Sequence, residues 1–490
     1  MYSAYALWHT AKISAGDVQS VHTVLDSRIL DANAQFSGVN MEALMNRAGR
    51  AVAKLVKSLN PKRVLIVCGR GNNGGDGYMA ASILRKDGIS VDCYPASTPS
   101  SDLCKKKHDA FLKIGGNVVK SLDGQKYDLI VDALLGVGVS GPPREPYASI
   151  IKRLNKSGVK ILSVDVPSGF PSNNVVKPQF TVSMQFQKEG MTRSNSGKIV
   201  VSDVGFTKDV IDMIGPGDMI AFPSSPKYSH KGENGICVLV GGSKKYYGAP
   251  LYMAESALRM GPDLVNLFTP SSIHEYVASN CQGIILGKSG IVDIEFNYDL
   301  MKILKERADS LAIGPGISKS PKALEEASKI IDFTLSQKKR MVIDADALEA
   351  TRNISDFERN TVLTPHRGEF RSTFGLDPTE ENAKKVARKI NAVILLKGEI
   401  DIVTDGEILK KNKSFHHQSM TRGGTGDLVT GSVAGILARK VDPLHSAFLA
   451  SYIVGQAGLT AFTRMGYGYF TSDLLAIMPE ILVSGIKQNS

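Results

Sequence analysis

The sequence predicts two α/β domains in tandem, each built on a parallel sheet with helices on both faces. Three observations lead to that class. At 490 residues the chain is longer than one hydrophobic core usually serves, so two full-sized domains are expected. From about residue 40 onward, short apolar runs alternate with helical patterns, the ordering that produces parallel sheets. A stretch dense in Gly, Pro and Ser, "GPGD" followed by "FPSSPKYSHKG" within 215–232, interrupts the alternation and marks a boundary. The expected domains are therefore 1–215 and 225–490.

In the first half the strands are "RVLIVC" (63–68), "ISVDCY" (89–94), "DLIVDA" (128–133) and "KILSVDV" (160–166). In the second they are "GICVLVGGS" (235–243), "SLAIGPGI" (310–317), "RMVIDADAL" (340–348), "NTVLTPHRGE" (360–369) and "AVILLKG" (392–398). Each runs into a cluster of Gly, Asp, Pro or Ser. Ligands of open α/β sheets sit beyond the carboxyl ends of the strands, so chemistry is expected in those clusters. The loop motifs of the two halves differ, which speaks against a duplication.

Composition excludes several classes. With 42% hydrophobic and 22% charged residues the chain is neither disordered nor fibrous. Its net charge of +11 is scattered, and the densest run, "CKKKH" (104–108), reads as a solvated helix face rather than a nucleic-acid groove. A diffuse positive field suits a phosphorylated small molecule. No apolar stretch approaches the length of a membrane span, and no leader pattern opens the chain. The five cysteines, Cys68, Cys93, Cys104, Cys237 and Cys281, are odd in number and form no CxxC pair, so neither zinc nor a disulfide framework is expected and a reducing, cytoplasmic setting is.

The loop "GRGNNGGDG" (69–77) follows the first strand. A Gly-rich turn into a helix exposes N–H groups to an anion. The Walker A lysine is absent, and a dinucleotide fingerprint is not expected here. Asn72, Asn73 and Asp76 add oxygens beyond what a phosphate cradle needs. Asp132 in "VDALLGVGVSGPPREP", Asp165 in "SVDVPSG" and Ser168 bring more. Converging oxygens without histidine or thiolate suit a hard, weakly held monovalent cation. Taken singly, each aspartate could equally do no more than cap the loop after its strand.

In the second half "MTRGGTGD" (420–427) precedes the apolar helix "LVTGSVAGILARK". Glycine N–H groups at a helix start stabilise charge on a transferred phosphoryl group, and Asp427 stands where it can take a proton from a substrate hydroxyl. His366, as a lone loop histidine, would be a satisfied structural side chain; its flanks "LTP" and "RGE" favour a ligand role.

Four motifs in order, "ALMNRAG" (43–49), "GNNGGDG" (71–77), "VDALLGVG" (131–138) and "VDVPSG" (164–169), resemble the N-terminal YjeF family, the NAD(P)HX epimerases, which have a Rossmann-like αβα sandwich. Such enzymes interconvert the R and S forms of NADH or NADPH hydrated on the nicotinamide ring. The resemblance implies a potassium ion on Asn73, Asp132 and Ser168. It implies substrate contacts from Asn72, Asn73, Gly74, Gly75 and Asp76, and from Gly136, Val137, Gly138, Val139, Ser140, Gly141 and Pro142. Asp165 is the further contact and the candidate acid/base, since inversion at a carbon bearing a hydroxyl and a ring nitrogen needs proton transfer. The segment "TVSMQFQKEGM" (181–191), around Lys188, departs from the family pattern.

The motifs "HKGENG" (230–235), "GGSKKYYGAP" (241–250), "GPGI" (314–317), "DADAL" (344–348), "LTPHRGE" (363–369), "LLKG" (395–398) and "GTGD" (424–427) are similar to the YjeF C-terminal or carbohydrate-kinase family, ribokinase-like NAD(P)HX dehydratases driven by ADP or ATP. The resemblance implies substrate contacts at Ala254, Gly316, His366 and Asp427. Nucleotide contacts would come from Lys397, Gly398, Glu399, Ile400, Asp401 and Gly426, with magnesium accompanying the nucleotide. ADP is favoured, as in fused relatives. "KGEID" (397–401) and Arg422 depart from the common pattern. The implied activity is repair of hydrated nicotinamide nucleotides, with NADHX, NADPHX and ADP or ATP as small-molecule partners, further copies of the chain in a homo-oligomer, and no nucleic acid or membrane. The alternative is a ribokinase-like kinase fused to a nucleotide-binding regulatory domain, which would leave the phosphate on its product.

Overall fold

A computed structural model describes residues 22–489 apart from 123–125, 140, 414 and 416. By packing, the chain divides into two units. Among the described residues, the first is Asn40–Phe206 with those before Arg28, and the second is Arg28–Val39 with those from Thr207 onward.

The first unit is one parallel sheet of β1 (Arg63–Cys68), β2 (Ser90–Pro95), β3 (Asn117–Val118), β4 (Leu129–Ala133), β5 (Lys160–Val164), β6 (Phe180–Met184) and β7 (Lys198–Ser202). Its order, β3-β2-β1-β4-β5-β6-β7, is the doubly wound Rossmann arrangement. In β1 the side chains Val64, Ile66 and Cys68 pack into one core and Leu65 and Val67 into another. A strand covered on both faces reads as an unbroken apolar run for that reason. Helix Met41–Ser58 starts where the Asn40 side chain accepts the Ala43 N–H, and it buries Leu44, Ala48, Val52 and Val56 along one stripe. Strand order reverses at β1 and β4, so the crevice of this sheet lies beyond their carboxyl ends.

The second unit holds β8 (Ile236–Val240), β9 (Leu264–Thr269), β10 (Ile285–Lys288), β11 (Ser310–Ile313), β12 (Arg340–Ile343), β13 (Thr361–Leu363), β14 (Val393–Leu396), β15 (Asp401–Thr404) and β16 (Leu409–Asn412). They form one sheet ordered β10-β9-β8-β11-β12-β13-β14-β15-β16. The expectation of a wholly parallel sheet needs correction at one edge, where β14, β15 and β16 pair antiparallel. The connections 397–400 and 405–408 are too short for a crossover helix, so only hairpins fit. Strand order reverses between β8 and β11, which brings the loops after them together.

The packing also places 28–39 and 207–215 with the second unit, where the sequence pattern assigns them to the first. The cause is a buried polar knot. The Asn33 amide donates to Asp218 (3.0 Å) and accepts from the Gly217 N–H (2.7 Å), while Lys410 Nζ meets the other Asp218 oxygen at 2.9 Å. Buried charge of this kind is retained only with its partners, so these segments follow Lys410. All five cysteines are free and buried. Among the described residues no helix is long and apolar enough to cross a membrane.

Helix Thr425–Ala438 crosses helix Ala249–Arg259 at Gly431, where an added Cβ would stand 2.0 Å from Met253 O and 2.1 Å from Ser256 Oγ. Gly431→Ala gains about 1 kcal/mol of helix propensity but forces two backbones apart. A net loss of about 1–3 kcal/mol is expected, read as a lower melting temperature by calorimetry; an unchanged or raised one would contradict this packing.

Candidate active sites

In the first unit the crevice is organised by Asp132, at the end of β4 and fully buried. Its Oδ2 accepts from Ser163 Oγ (2.8 Å) and the Ser168 N–H (2.9 Å), and its Oδ1 from Ser168 Oγ (2.5 Å) and the Leu134 N–H (3.3 Å). Burial pushes the carboxyl above its ordinary range, against the pull of those bonds. Ser168 Oγ also accepts the Leu135 N–H at 2.9 Å. Asn73, in the first turn of helix Asn72–Lys86, lies beside Gly136, the residue after Leu135, since a Cβ on Gly136 would lie 3.4 Å from its side chain. The buried Asn73 Nδ2 has no hydrogen-bond partner among the described residues. Asp132 and Ser168 are thus joined directly, and the Leu135–Gly136 segment that Ser168 holds runs beside Asn73.

The Gly-rich loop is tighter than a phosphate cradle requires. Gly69, Gly71 and Gly74 stand in G-x-G-x-x-G spacing between a strand and a helix, which corrects the expectation that the fingerprint is absent. A Cβ on Gly69 would lie 1.8 Å from Leu134 O, and one on Gly74 2.0 Å from Gly69 O. Gly74 and Gly75 are buried, Gly75 against Met45, so of this group only Gly71 opens onto free space. Asn72 is exposed and accepts Ser101 Oγ at 2.8 Å, and Asp76 is half-buried. Across the crevice Val137 is half-buried, Gly138, Val139, Gly141 and Pro142 are exposed, and Ser140 lies outside the described residues.

Asp165 follows β5 with φ +67°, a left-handed conformation rare for a non-glycine residue and costly enough to mark a functional position. Its Oδ1 accepts the Met184 N–H (3.1 Å) and an ion pair from Lys188 Nζ. Lys188, 1% exposed, also donates to Met184 O (2.8 Å) and Ser183 Oγ (3.2 Å). Both Asp165 bonds fall on one oxygen, Oδ1. The sequence pattern singles out Lys188 without attaching it to a partner; folding supplies Asp165.

The second site gathers where β12, β14 and helix Thr425–Ala438 converge. Asp344, at the end of β12 and 1% exposed, binds Lys397 Nζ at 2.7 Å through Oδ1 and Thr430 Oγ1 at 2.6 Å through Oδ2. Lys397 Nζ stands 3.2 Å from where a Cβ on Gly426 would be, so glycine there admits the ammonium to the helix start. Burial works against the Lys397 charge, but Asp344 and Glu369 hold it above the usual lysine value, with Asp427 adding to them. Asp427 is half-buried. Burial first, then Asp344 and Glu369, push its carboxyl up to about 7 despite Lys397. Gly424 caps the helix with φ +91°, a conformation suited to glycine, and a Cβ there would strike the Tyr252 ring at 2.7 Å.

His366 caps helix Arg367–Phe374, its Nδ1 accepting the Gly368 and Glu369 N–H groups at 3.0 and 3.1 Å. That use commits Nδ1 to the cap, and Nε2 stands 3.3 Å from Glu369 Oε1, so both ring nitrogens face the start of this helix. Gly316 (φ +78°) packs on the loop after β8, a Cβ there lying 2.6 Å from Tyr246 O. Two expected contacts fare differently. Ala254 is fully buried in the core of the second unit and offers no surface to a ligand. Asp401 is 4% exposed and closes the hairpin, accepting the Gly398 N–H at 3.2 Å and Ser451 Oγ at 2.8 Å, while Glu399 and Ile400 form its exposed tip. Arg422 lies 4.5 Å over the Tyr469 ring and donates to Tyr467 O. Asp344, Glu369, Thr430 and Tyr252 are missed by the sequence pattern. "DADAL" and "RGE" pointed at the first two; nothing in the sequence pointed at Thr430.

A family model described as YjeF-related protein N-terminus matches residues 41–190, and one described as NAD(P)H-hydrate dehydratase matches residues 237–480. A bifunctional NAD(P)H-hydrate repair enzyme from Archaeoglobus fulgidus is 34% identical over 470 residues, covering 94% of this chain and 97% of that one. Its counterpart from Pyrobaculum aerophilum is 34% identical over 491 residues, with 94% and 97% covered. Among solved structures, an ADP/ATP-dependent NAD(P)H-hydrate dehydratase from Bacillus subtilis is 23% identical at a TM-score of 0.48, covering 57% of this chain and 98% of that one.

A carboxyl whose folded pKa is raised to about 7 favours folding only while protonated. Its contribution is full below the unfolded value near 4 and is lost as pH rises through about 7. Asp427→Asn is therefore expected to melt above the wild type at pH 8, by a margin that shrinks toward pH 5. Equal destabilisation by this change at every pH would contradict the assignment.

Proposed function

The chain belongs to the family of bifunctional NAD(P)H-hydrate repair enzymes, and on that premise we propose how its two sites divide one task. It repairs hydrated nicotinamide nucleotides. The first unit interconverts R- and S-NAD(P)HX, and the second dehydrates the S form to NAD(P)H at the expense of ADP. The observation that carries the second half is Asp427, a half-buried carboxyl raised to about 7 beside a helix start and the Lys397 ammonium.

Near neutral pH Asp427 exists in both forms, which suits a group that takes the proton from the substrate hydroxyl as the oxygen attacks the terminal phosphorus of ADP. AMP departs, and the hydroxyl becomes a phosphate ester. The N–H groups at the start of helix Thr425–Ala438 and the Lys397 ammonium face the charge that builds on the transferred group. Loss of the neighbouring ring proton and of inorganic phosphate then restores the double bond. The exposed tip Glu399–Ile400 and Gly398 are the surface offered to the nucleotide, magnesium arriving with its phosphates. His366 Nε2 and Gly316 flank the substrate.

In the first unit Asp165 moves the proton at the inverting carbon, with Lys188 fixing one carboxylate oxygen so that the other faces substrate. The oxygens of Ser168 and Leu135 around Asp132, with the Asn73 amide beside Gly136, are hard donors of the kind that suit potassium, and Asn73, Asp132 and Ser168 would hold it. When bound, the ion supplies positive charge beside the substrate's oxygens.

The test is the return of reduced-nicotinamide absorbance from an R/S mixture of NADHX with ADP and magnesium, with phosphate and AMP measured. The wild type is expected to pass the S fraction and to release phosphate equal to the NADH formed. Asp165→Asn stalls once the S fraction is consumed, and Asp427→Asn recovers at least about a hundredfold more slowly, as loss of a general base implies. Phosphate retained on the nucleotide would favour the kinase alternative instead.

A further inference from the structure

Deepening the dehydratase reading, on which it rests, we propose that Tyr246, Tyr247 and Tyr276 form the subsite for the adenosine end of the dinucleotide substrate. The hydroxylated ring must lie at Asp427, and the 397–400 hairpin is committed to the nucleotide co-substrate. On the remaining side the surface leaves Gly424 along the Tyr252 ring. The Tyr252 hydroxyl is pushed up by burial and then by the charges of Glu255, Asp427 and Tyr276, groups of this same side. Tyr276 meets Tyr247 edge to face, centroids 4.6 Å apart at 74°. Tyr246 is joined to the same surface through Gly316, the expected substrate contact, whose missing Cβ leaves 2.6 Å to Tyr246 O.

These rings are not core. Tyr246, Tyr247 and Tyr276 are 45%, 46% and 43% exposed, so ring surface is available for stacking. Their surroundings favour a nucleotide over an apolar partner. Lys245 Nζ stands 5.2 Å over the Tyr246 ring, a cation for a phosphate group. Ser243, 5% exposed in the same loop, carries a buried Oγ with no partner among the described residues. Stacking on aromatic side chains binds a purine without demanding hydrogen bonds, and the loss of one such ring weakens binding about tenfold.

The experiment compares kcat/KM of the full chain, with ADP and magnesium, for S-NADHX and for the hydrated reduced nicotinamide mononucleotide, which lacks the adenosine end. Tyr247→Ala and Tyr276→Ala are each expected to lower the dinucleotide-to-mononucleotide ratio about tenfold, whereas Tyr247→Phe and Tyr276→Phe hold it. A ratio unmoved by the alanine changes, or equal losses on both substrates, would overturn the subsite. A wild type that repairs neither substrate would overturn the dehydratase reading itself, and the subsite with it.

Discussion

A carboxylate taken out of water at the carboxyl end of a parallel strand organises each of the two sites. Asp132 ends β4 and Asp344 lies just beyond β12, and both are essentially without solvent contact. Such a group is tolerated only when every oxygen is occupied. Asp132 therefore draws in the strand beside it through Ser163 and the following loop through Ser168, which closes the floor of the first crevice. Asp344 draws in the end of β14 through Lys397 and the helix carrying Asp427 through Thr430. Removing either carboxylate would release two elements at once, and with them the geometry of the chemistry.

The same constraint sets the electrostatics. Asp344 holds Lys397 charged at the helix start, yet its own negative charge, with that of Glu369, adds to burial in raising Asp427. One buried acid thus helps both to keep Lys397 charged and to raise the carboxyl of Asp427 beside it. In the first unit the buried lysine instead pairs with the proposed acid, since Lys188 meets Asp165 in a strained left-handed turn. The two units meet different demands with different pairings. A phosphoryl transfer needs charge stabilised on the group in flight, while an inversion needs one carboxylate oxygen held still and the other free.

Much of this was legible in the sequence. Unbroken apolar runs ending in Gly and Asp announced β1, β4, β5, β8, β11, β12, β13 and β14, because strands covered on both faces have no polar side. Edge elements carried no such signal. Strand β16, "LKKN", buries Lys410 and Asn412 in polar contacts that only the fold supplies. The partition of 28–39 and 207–215 rests on the Asn33–Asp218–Lys410 knot, three residues far apart in the chain whose association leaves no local pattern. At the sites, glycine and aspartate motifs located the crevices. Burial decided the roles, turning Gly74, Gly75, Ala254 and Asp401 into packing residues and bringing in Thr430 and Tyr252, which no motif marks.

The most direct test is the pH dependence of kcat/KM for ADP-driven dehydration of S-NADHX, which reports the ionisation of the free enzyme's essential base. The rate is expected to climb with pH through an apparent pKa of about 7, set by the burial of Asp427, and the limb to move downward in Glu369→Gln, where one repelling carboxylate is gone. A limb at the ordinary carboxylate value near 4, or one at about 7 that Glu369→Gln leaves in place, would contradict it.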